Sequence, residues 1–332
     1  IDLDSNLENY IKNIRDYINQ RKFDSVNVPL KEFKFALKQS PYYLAKYYYY
    51  QSVLNQHLLN DSLSISYADS LIQIAASISN QKMLAQSYKL KARINGQNAQ
   101  YEDEIQNRKK ALSNIGNADT SFVFWMHKYI SQCYMFLGEN DSCYHYAQQA
   151  LHDAEQLKDT QKISSGWIDL SRIYIINFTC KKAKTASKKA IYFAQFEQSK
   201  FNLVDAYRNY GEVLLNCEPN SDSIAIYYKK ALQINEKYLH HDLMDIGLNN
   251  ALLDYYIGSK MHDSALKPLT NLIRDSIKMS PIYKTQLHYS LGDYYALTKQ
   301  YKLSEKPYQH LVLSLTEQFK KIIRLPCSRH KD

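Results

Sequence analysis

The chain contains 332 residues, among them only 8 glycines and 7 prolines, and it carries a formal net charge of +9. This scarcity of turn residues excludes β-sandwiches, β-barrels and dinucleotide-binding folds, and it predicts an almost entirely helical protein. The positive charge favours acidic partners without identifying one, because the lysines and arginines are scattered among acidic residues.

Amphipathic segments recur about every forty residues along the chain. Their clearest mark is an alanine followed by a large apolar residue late in each unit, at Ala111-Leu112, Ala150-Leu151, Ala190-Ile191 and Ala231-Leu232. Weaker pairs stand at Ala36-Leu37, Leu71-Ile72, Leu272-Ile273 and Leu311-Val312. Eight units of this length account for the whole chain, so the sequence predicts a repeat protein.

Each unit is predicted to consist of two helices joined by a short polar turn. The fourth unit has an apolar face of Phe124, Ile130, Tyr134 and Phe136, a polar break at residues 138–141, and a second apolar face that includes Tyr146 and Ala150. The spacing of three and four residues on both sides of the break is typical of a helical hairpin. Serine-proline pairs at 40–41 and 280–281 are suited to begin further helices.

Small residues also recur within the predicted helices. Ser171, Gly211 and Gly292 lie on first helices, and Ala183 and Ala265 lie on second helices. A glycine inside a helix costs about 1 kcal/mol relative to alanine. Its presence therefore predicts a place where the two helices of a hairpin cross closely.

With these residues the sequence resembles the tetratricopeptide repeat (TPR). The fifth unit carries Trp167, Leu170, Ser171 and Tyr174 where the family has its aromatic, leucine, glycine and tyrosine positions, and the sixth unit carries Tyr207, Gly211 and Tyr228. The period is near forty residues instead of about 34. The resemblance implies an all-α, right-handed α-solenoid of about eight antiparallel helix pairs over residues 1–320. The density of lysine and arginine near the end of the sequence predicts a basic C-terminal tail, residues 321–332.

The resemblance also implies a concave groove that is lined by the first helix of each pair and binds an extended peptide or a partner helix. The family's groove positions correspond here to Trp125, Lys128, Gln132, Met135, Ile168, Arg172, Ile175, Arg208, Glu212, Asn250, Asp254, Tyr289 and Asp293. We expect a peptide whose acidic end lies near Lys128, Arg172 and Arg208. The alternative is a solvated helix face without a ligand.

One known use of the fold, the clamp that grips the C-terminal carboxylate of a chaperone, fits this chain poorly. Asp169 and Asp205 stand where that clamp has an amide and a lysine. Because these acids would repel a carboxylate, the resemblance does not extend to chaperone binding.

The sequence contains none of the common catalytic signatures. It has no glycine-rich phosphate loop, no G-x-S-x-G and no H-E-x-x-H motif, so we expect no enzymatic activity, catalytic residue, cofactor or metal site. The five cysteines include no C-x-x-C pair and predict neither a zinc knuckle nor a disulfide framework. Cys133 and Cys143 could face each other across one hairpin, or be two small buried side chains. No apolar run is long enough to span a membrane.

The long units and the richness in tyrosine and asparagine are similar to the extracytoplasmic TPR regions of membrane-anchored Bacteroidetes regulators. That resemblance implies the ligand-sensing part of a signalling or transcriptional regulator in an extracytoplasmic location. A cytosolic adaptor in a multiprotein assembly is the alternative. An RNA-binding helical repeat is more remote, because the basic residues do not recur at one place in each unit.

Overall fold

The computed structural model describes residues 3–20, 22–36, 40–58, 60–115, 119–196, 200–276 and 281–300, together with Pro307. Within these residues the protein is all-α, as predicted, with fifteen α-helices, one short π-helix and no strand. The α-helices are α1 (Leu3–Asn19), α2 (Phe23–Ala36), α3 (Pro41–His57), α4 (Asp61–Ser77), α5 (Gln81–Gln97), α6 (Tyr101–Ile115), α7 (Thr120–Leu137), α8 (Asn140–Gln156), α9 (Thr160–Ile176), α10 (Cys180–Gln195), α11 (Phe201–Cys217), α12 (Ser223–Ile234), α13 (Asp242–Gly258), α14 (His262–Asp275) and α15 (Pro281–Leu297). The π-helix, Asn235–Leu239, directly follows α12.

The helices confirm the predicted repeat. The odd-numbered helices are the first helices of successive hairpins, and their starting residues are 38 to 41 positions apart. From α1 to α14, each first helix packs against the even-numbered helix that follows it. Pro41 opens α3, with Ser40 at its N-cap, and Pro281 opens α15. The partner of α15 would fall after residue 300, outside the described residues except for Pro307.

The turns explain how a helical repeat forms with so few glycines. Most of the turns that the structure describes in full contain a single residue with a left-handed backbone conformation, and glycine fills this place at the end of α7, where Gly138 has φ 75°. In other turns the residue is Ser79, Ala99, Lys158 or Phe178. Each non-glycine residue in this conformation costs roughly 1–2 kcal/mol. The packing of the hairpins offsets that cost.

Small residues lie where the two helices cross in three of the described hairpins, and one of them, Gly211, was predicted for this place. In the second hairpin the Ser52 hydroxyl donates to the Ser64 carbonyl at 2.8 Å. In the fourth hairpin Ser131 donates to the Cys143 carbonyl, also at 2.8 Å. Gly211 occupies the same place on α11. A larger side chain at these positions would force the two helices apart.

The chain forms two compact units, residues 1–159 and residues 160–332. The first unit contains α1 to α8 and has an apolar core around Leu7, Ile11 and Phe33. The second unit begins with α9, and its core includes Tyr228 and Leu253. One continuous array over residues 1–320 stays a prediction, and the basic segment 321–332 lies outside the described residues.

The cysteines depart from the sequence analysis. Cys180 and Cys217 form a disulfide, with their Cα atoms 5.6 Å apart, which joins the start of α10 to the end of α11. The prediction of no disulfide framework missed this bond, because the two cysteines are 37 positions apart in the sequence and only the packing of adjacent hairpins brings them together. Cys133 and Cys143 form no disulfide, and both are buried.

Phe136 also differs from its predicted place in the apolar face of α7. Its side chain is 66% exposed and stacks on Tyr101, with the ring centroids 4.9 Å apart. Among the described helices, none has both the length and the apolar composition that crossing a membrane requires.

Candidate functional site

The first helices share a register that defines one face of each unit. Ser52, Ser131 and Gly211 occupy equivalent positions on α3, α7 and α11, and the corresponding residues of α5, α9, α13 and α15 are Ala92, Ser171, Leu253 and Gly292. Residues six and three places before each of them, and one and four places after, share one side of the helix because their spacing is three or four residues. We call these residues the groove face.

The groove face of the first unit, here called groove face 1, lies on α3, α5 and α7. Its members are Lys46, Tyr49, Val53, Gln56, Gln86, Lys89, Arg93, Gly96, Trp125, Lys128, Gln132 and Met135. The four predicted residues on α7, from Trp125 to Met135, are all half-buried. The other first helices contribute positions that the sequence analysis did not include.

The groove face of the second unit, here called groove face 2, lies on α9, α11, α13 and α15. Its members are Ser165, Ile168, Arg172, Ile175, Asp205, Arg208, Glu212, Leu215, Gly247, Asn250, Asp254, Ile257, Gln286, Tyr289, Asp293 and Ala296. Arg172, Ile175 and Arg208 are half-buried, Asn250 is buried, and Tyr289 is exposed. All the residues predicted for this part of the groove therefore fall on one register.

The two groove faces carry opposite charge. Groove face 1 has four cationic residues and no carboxylate: Lys46, Lys89, Arg93 and Lys128. Groove face 2 has two arginines and four carboxylates: Arg172, Arg208, Asp205, Glu212, Asp254 and Asp293. Because cations predominate on groove face 1 and acids predominate on groove face 2, the two units present different electrostatic surfaces to a ligand.

On groove face 2, both arginines are engaged by acids of the same protein. Arg208 donates to Asp205 Oδ1 at 2.8 Å and to Glu212 Oε1 at 2.9 Å. Arg172 lies 3.7 Å from Asp169 Oδ1 and 3.9 Å from Glu212 Oε2. These pairs connect α9 with α11 and neutralise much of the positive charge that the sequence analysis assigned to a ligand's acidic end.

Asn250 and Asp254 provide the polar groups of α13 on groove face 2. Asn250 is 7% exposed, and within the described residues neither atom of its side-chain amide has a hydrogen-bond partner. Asp254 accepts a hydrogen bond from Ser290 Oγ of α15 at 3.1 Å. Desolvation by the surrounding protein raises the pKa of Asp254, the negative charge of Asp293 adds to this, and the Ser290 hydrogen bond opposes it.

On groove face 1, Lys89 and Arg93 lie one helical turn apart on α5. Arg93 donates to the side-chain oxygen of Gln56, whose amide in turn donates to Gln97 Oε1 at 2.6 Å. The Lys89 ammonium lies 5.4 Å from the centre of the Phe122 ring. Desolvation lowers the pKa of Lys89, and the positive charges of Arg93 and Arg108 lower it further.

Arg108 and Glu104 of α6 form a buried ion pair behind this surface. They are 4% and 6% exposed, and Arg108 Nε donates to Glu104 Oε1 at 2.7 Å. The guanidinium carbon of Arg108 lies 4.4 Å from the centre of the Tyr129 ring. Burial, followed by the charge of Glu104, raises the pKa of the neighbouring Cys133 thiol, so that thiol is protonated and unreactive.

Two small cavities open on the groove faces. One of about 200 Å³ lies between α11 and α13 and is lined by Asp205, Arg208 and Met244. The other, of about 230 Å³, is lined by Arg15, Lys46 and residues around Tyr49. Both are large enough for one side chain of a ligand.

A larger cleft, of about 650 Å³, lies away from the groove faces between α12, α13 and α14. Its lining mixes three cationic with three acidic residues: Lys229, Lys267, Arg274, Glu236, Asp245 and Asp263. Because the two kinds of charge are equal in number, the cleft favours neither an anionic nor a cationic ligand. Within the described part of the chain, no group of three or more histidines, cysteines or acids is arranged to hold a metal ion.

Lys46, Lys89 and Arg93 lie on groove face 1 but were not among the residues that the sequence analysis predicted for a groove. The first three units match the family pattern poorly, so the family's positions could not be transferred to them. The signal that was available is the small residue at the crossing: once Ser52 and Ala92 are aligned with Ser131, the three cations fall into register.

Comparison with known proteins supports the fold. The sequence matches no protein-family model and no curated protein. Among solved structures, apo RapI is 12% identical with a TM-score of 0.72, covering 96% of this chain and 89% of RapI. The apo quorum sensor NprR from B. thuringiensis is 15% identical with a TM-score of 0.67, covering 95% of this chain and 89% of NprR.

A Rap protein complexed with competence and sporulation factor is 13% identical with a TM-score of 0.58, covering 96% of this chain and 99% of that protein. At such low identities the likeness concerns the fold. The chain is therefore similar to TPR-like helical-repeat proteins over nearly its whole length.

Proposed function

We propose that the protein is a binding scaffold whose groove faces hold an extended peptide segment, free or within a partner protein. The main support for this proposal is that polar and charged side chains occupy equivalent positions on successive first helices. These side chains therefore lie on one side of each unit. Asn250 adds a buried amide without a hydrogen-bond partner among the described residues. A buried amide of this kind costs about 1–3 kcal/mol unless it is bonded, and a peptide backbone would bond it.

The structural likeness supports the same proposal. One similar protein is named a quorum sensor, and another was solved in complex with competence and sporulation factor. Together with the resemblance to Bacteroidetes regulators, this favours the ligand-sensing part of a signalling or transcriptional regulator over a cytosolic adaptor. The Cys180–Cys217 disulfide supports an extracytoplasmic location, because such bonds persist in oxidising compartments.

A random library of twelve-residue peptides displayed on phage tests the binding function. We expect enriched sequences whose synthetic peptides bind the wild-type protein. Trp125→Ala and Asn250→Ala should each weaken at least one of them about tenfold, whereas Tyr192→Ala, an exposed aromatic on the second helix α10, should not. If no peptide is enriched, or if all three variants bind equally, the groove faces do not carry peptide binding.

The sensing role requires a further measurement. A sensor transmits ligand binding as a change of conformation, so small-angle X-ray scattering should show compaction when a selected peptide is bound. An unchanged scattering curve with saturating peptide would support the adaptor instead.

A further inference from the structure

Two cations of groove face 1, Lys89 and Arg93, have no carboxylate within ion-pair distance among the described residues. Lys89 and Arg93 are solvent-exposed neighbours on α5, and like charges four residues apart on a helix repel each other. Within the described residues, neither makes an ion pair with a carboxylate. By contrast, Lys91 on another side of the same helix pairs with Asp69 at 2.6 Å.

The surroundings add to the positive potential. Arg108 lies behind Lys89 and Arg93, where a single carboxylate, Glu104, pairs with it. Asp119 is a second acid, whose charge acts on Lys89, so three cations and two acids still leave a local excess of positive charge. Desolvation is the main cause of the lowered pKa of Lys89, the charges of Arg93 and Arg108 lower it further, and the charge of Asp119 opposes them.

We propose that groove face 1 is a carboxylate-binding site, and that the peptide segment held there is acidic, with a side-chain or terminal carboxylate between Lys89 and Arg93. This inference rests on the proposed peptide-binding function. An arginine binds a carboxylate through two parallel hydrogen bonds, and a lysine adds a point charge. Gln56 already holds the Arg93 guanidinium in place, so little side-chain entropy remains to be lost on binding.

The aromatic residues of this face favour a peptide over a single-stranded nucleic acid. Nucleic-acid channels need open aromatic faces on which bases stack. Here Trp125 stacks on Tyr129, with ring centroids 5.8 Å apart, and Tyr129 in turn covers Arg108. These rings are half-buried and occupied by one another, which suits them to line a groove for peptide side chains.

Fluorescence anisotropy with a fluorescein-labelled hexaglutamate peptide tests the inference, with hexaglutamine as the uncharged probe. At about 50 mM salt, hexaglutamate should bind and hexaglutamine should not. The double variant Lys89→Gln, Arg93→Gln should weaken hexaglutamate binding about tenfold or more. The charge-preserving double variant Lys89→Arg, Arg93→Lys should restore most of the affinity.

The matched control is Lys82→Gln with Lys91→Gln, which removes the same charge from the same helix at positions outside groove face 1. An equal loss of affinity in this control would overturn the inference, because binding would then follow net charge alone. Tighter binding of a twelve-residue oligothymidine, with the same dependence on Lys89 and Arg93, would also overturn it in favour of nucleic acid.

The selected library peptides separate the two proposals. If they bind and respond to Trp125→Ala or Asn250→Ala but not to loss of Lys89 and Arg93, the peptide-binding function stands and the acidic specificity fails. If neither the library nor hexaglutamate gives binding, the proposed function itself fails.

Discussion

Gly211 of α11 lies against the ring of Tyr228 of α12. A Cβ atom added at Gly211 would come within 2.7 Å of Tyr228 Cε1, and the tyrosine ring is 1% exposed. The glycine therefore sets the distance between the two helices of the sixth hairpin. No such limit applies at Gly247 of α13, where an added Cβ would meet nothing within 4 Å.

The two glycines make a matched pair for a stability measurement. Alanine favours a helix over glycine by about 1 kcal/mol, but overpacking costs about 1–3 kcal/mol. Gly247→Ala should therefore raise the free energy of unfolding, measured in urea. The free energy of unfolding of Gly211→Ala should be about 1–3 kcal/mol lower than that of Gly247→Ala. Equal stabilisation by both substitutions would show that the crossing of α11 and α12 tolerates a wider separation.

Loss of Glu104 should destabilise the first unit strongly. Glu104→Gln leaves the Arg108 guanidinium buried without its counter-ion, and breaking a buried pair in this way costs about 3–5 kcal/mol. The control is Glu102→Gln, an exposed acid two residues earlier on α6, for which a change within about 0.5 kcal/mol is expected. Both are measured by urea unfolding, and similar values for the two variants would contradict the structural role of the pair.

Asp254 should make stability depend on pH. Its pKa in the folded protein is raised above the ordinary value of 3.8, chiefly by desolvation, so ionisation is less favourable in the folded than in the unfolded state. At pH 7, Asp254→Asn should therefore be more stable than the wild type. The difference should shrink as the pH falls through the raised pKa of Asp254, because protonation makes the wild-type side chain neutral.

Urea unfolding of both proteins at several pH values between 7 and 4 measures this effect. A stability difference that does not change with pH would mean that the charge of Asp254 is not its source.

The disulfide should stabilise the second unit. It closes a loop between residues 37 positions apart, and a bond of this span contributes about 2–4 kcal/mol. The double variant Cys180→Ser, Cys217→Ser should lose that amount in urea unfolding. Adding reductant should destabilise the wild type to a similar extent and leave the double variant unchanged. Peptide mapping of the oxidised protein should yield a cross-linked peptide containing both cysteines.

The helices and their period could be predicted because their signals are local. An amphipathic helix repeats its apolar residues every three or four positions, so the hairpin of α7 and α8 is visible in the spacing from Phe124 to Ala150. The same spacing placed Trp125, Lys128, Gln132 and Met135 on one side of α7. These assignments needed no knowledge of any neighbouring hairpin.

Pairings between hairpins could not be predicted in this way. Arg172 of α9 and Glu212 of α11 are forty positions apart, which is one period of the repeat. The period does not show that their side chains meet, and only the packing of α9 against α11 brings them within 3.9 Å of each other. The sequence analysis therefore assigned Arg172 and Arg208 to a ligand's acid, whereas the tertiary structure pairs them with Asp169, Asp205 and Glu212.

The sequence by itself determined the all-helical repeat, its period of about forty residues and the small residues at the crossings, because those features depend on contacts within one hairpin. The tertiary structure decided which charges are neutralised, which cysteines form a disulfide and which cations of α5 have no carboxylate partner among the described residues. Those outcomes depend on distances between residues of different hairpins. An ion pair or a disulfide forms only between groups that lie close together. The spacing of residues along the chain does not show which groups of different hairpins become neighbours when the hairpins pack.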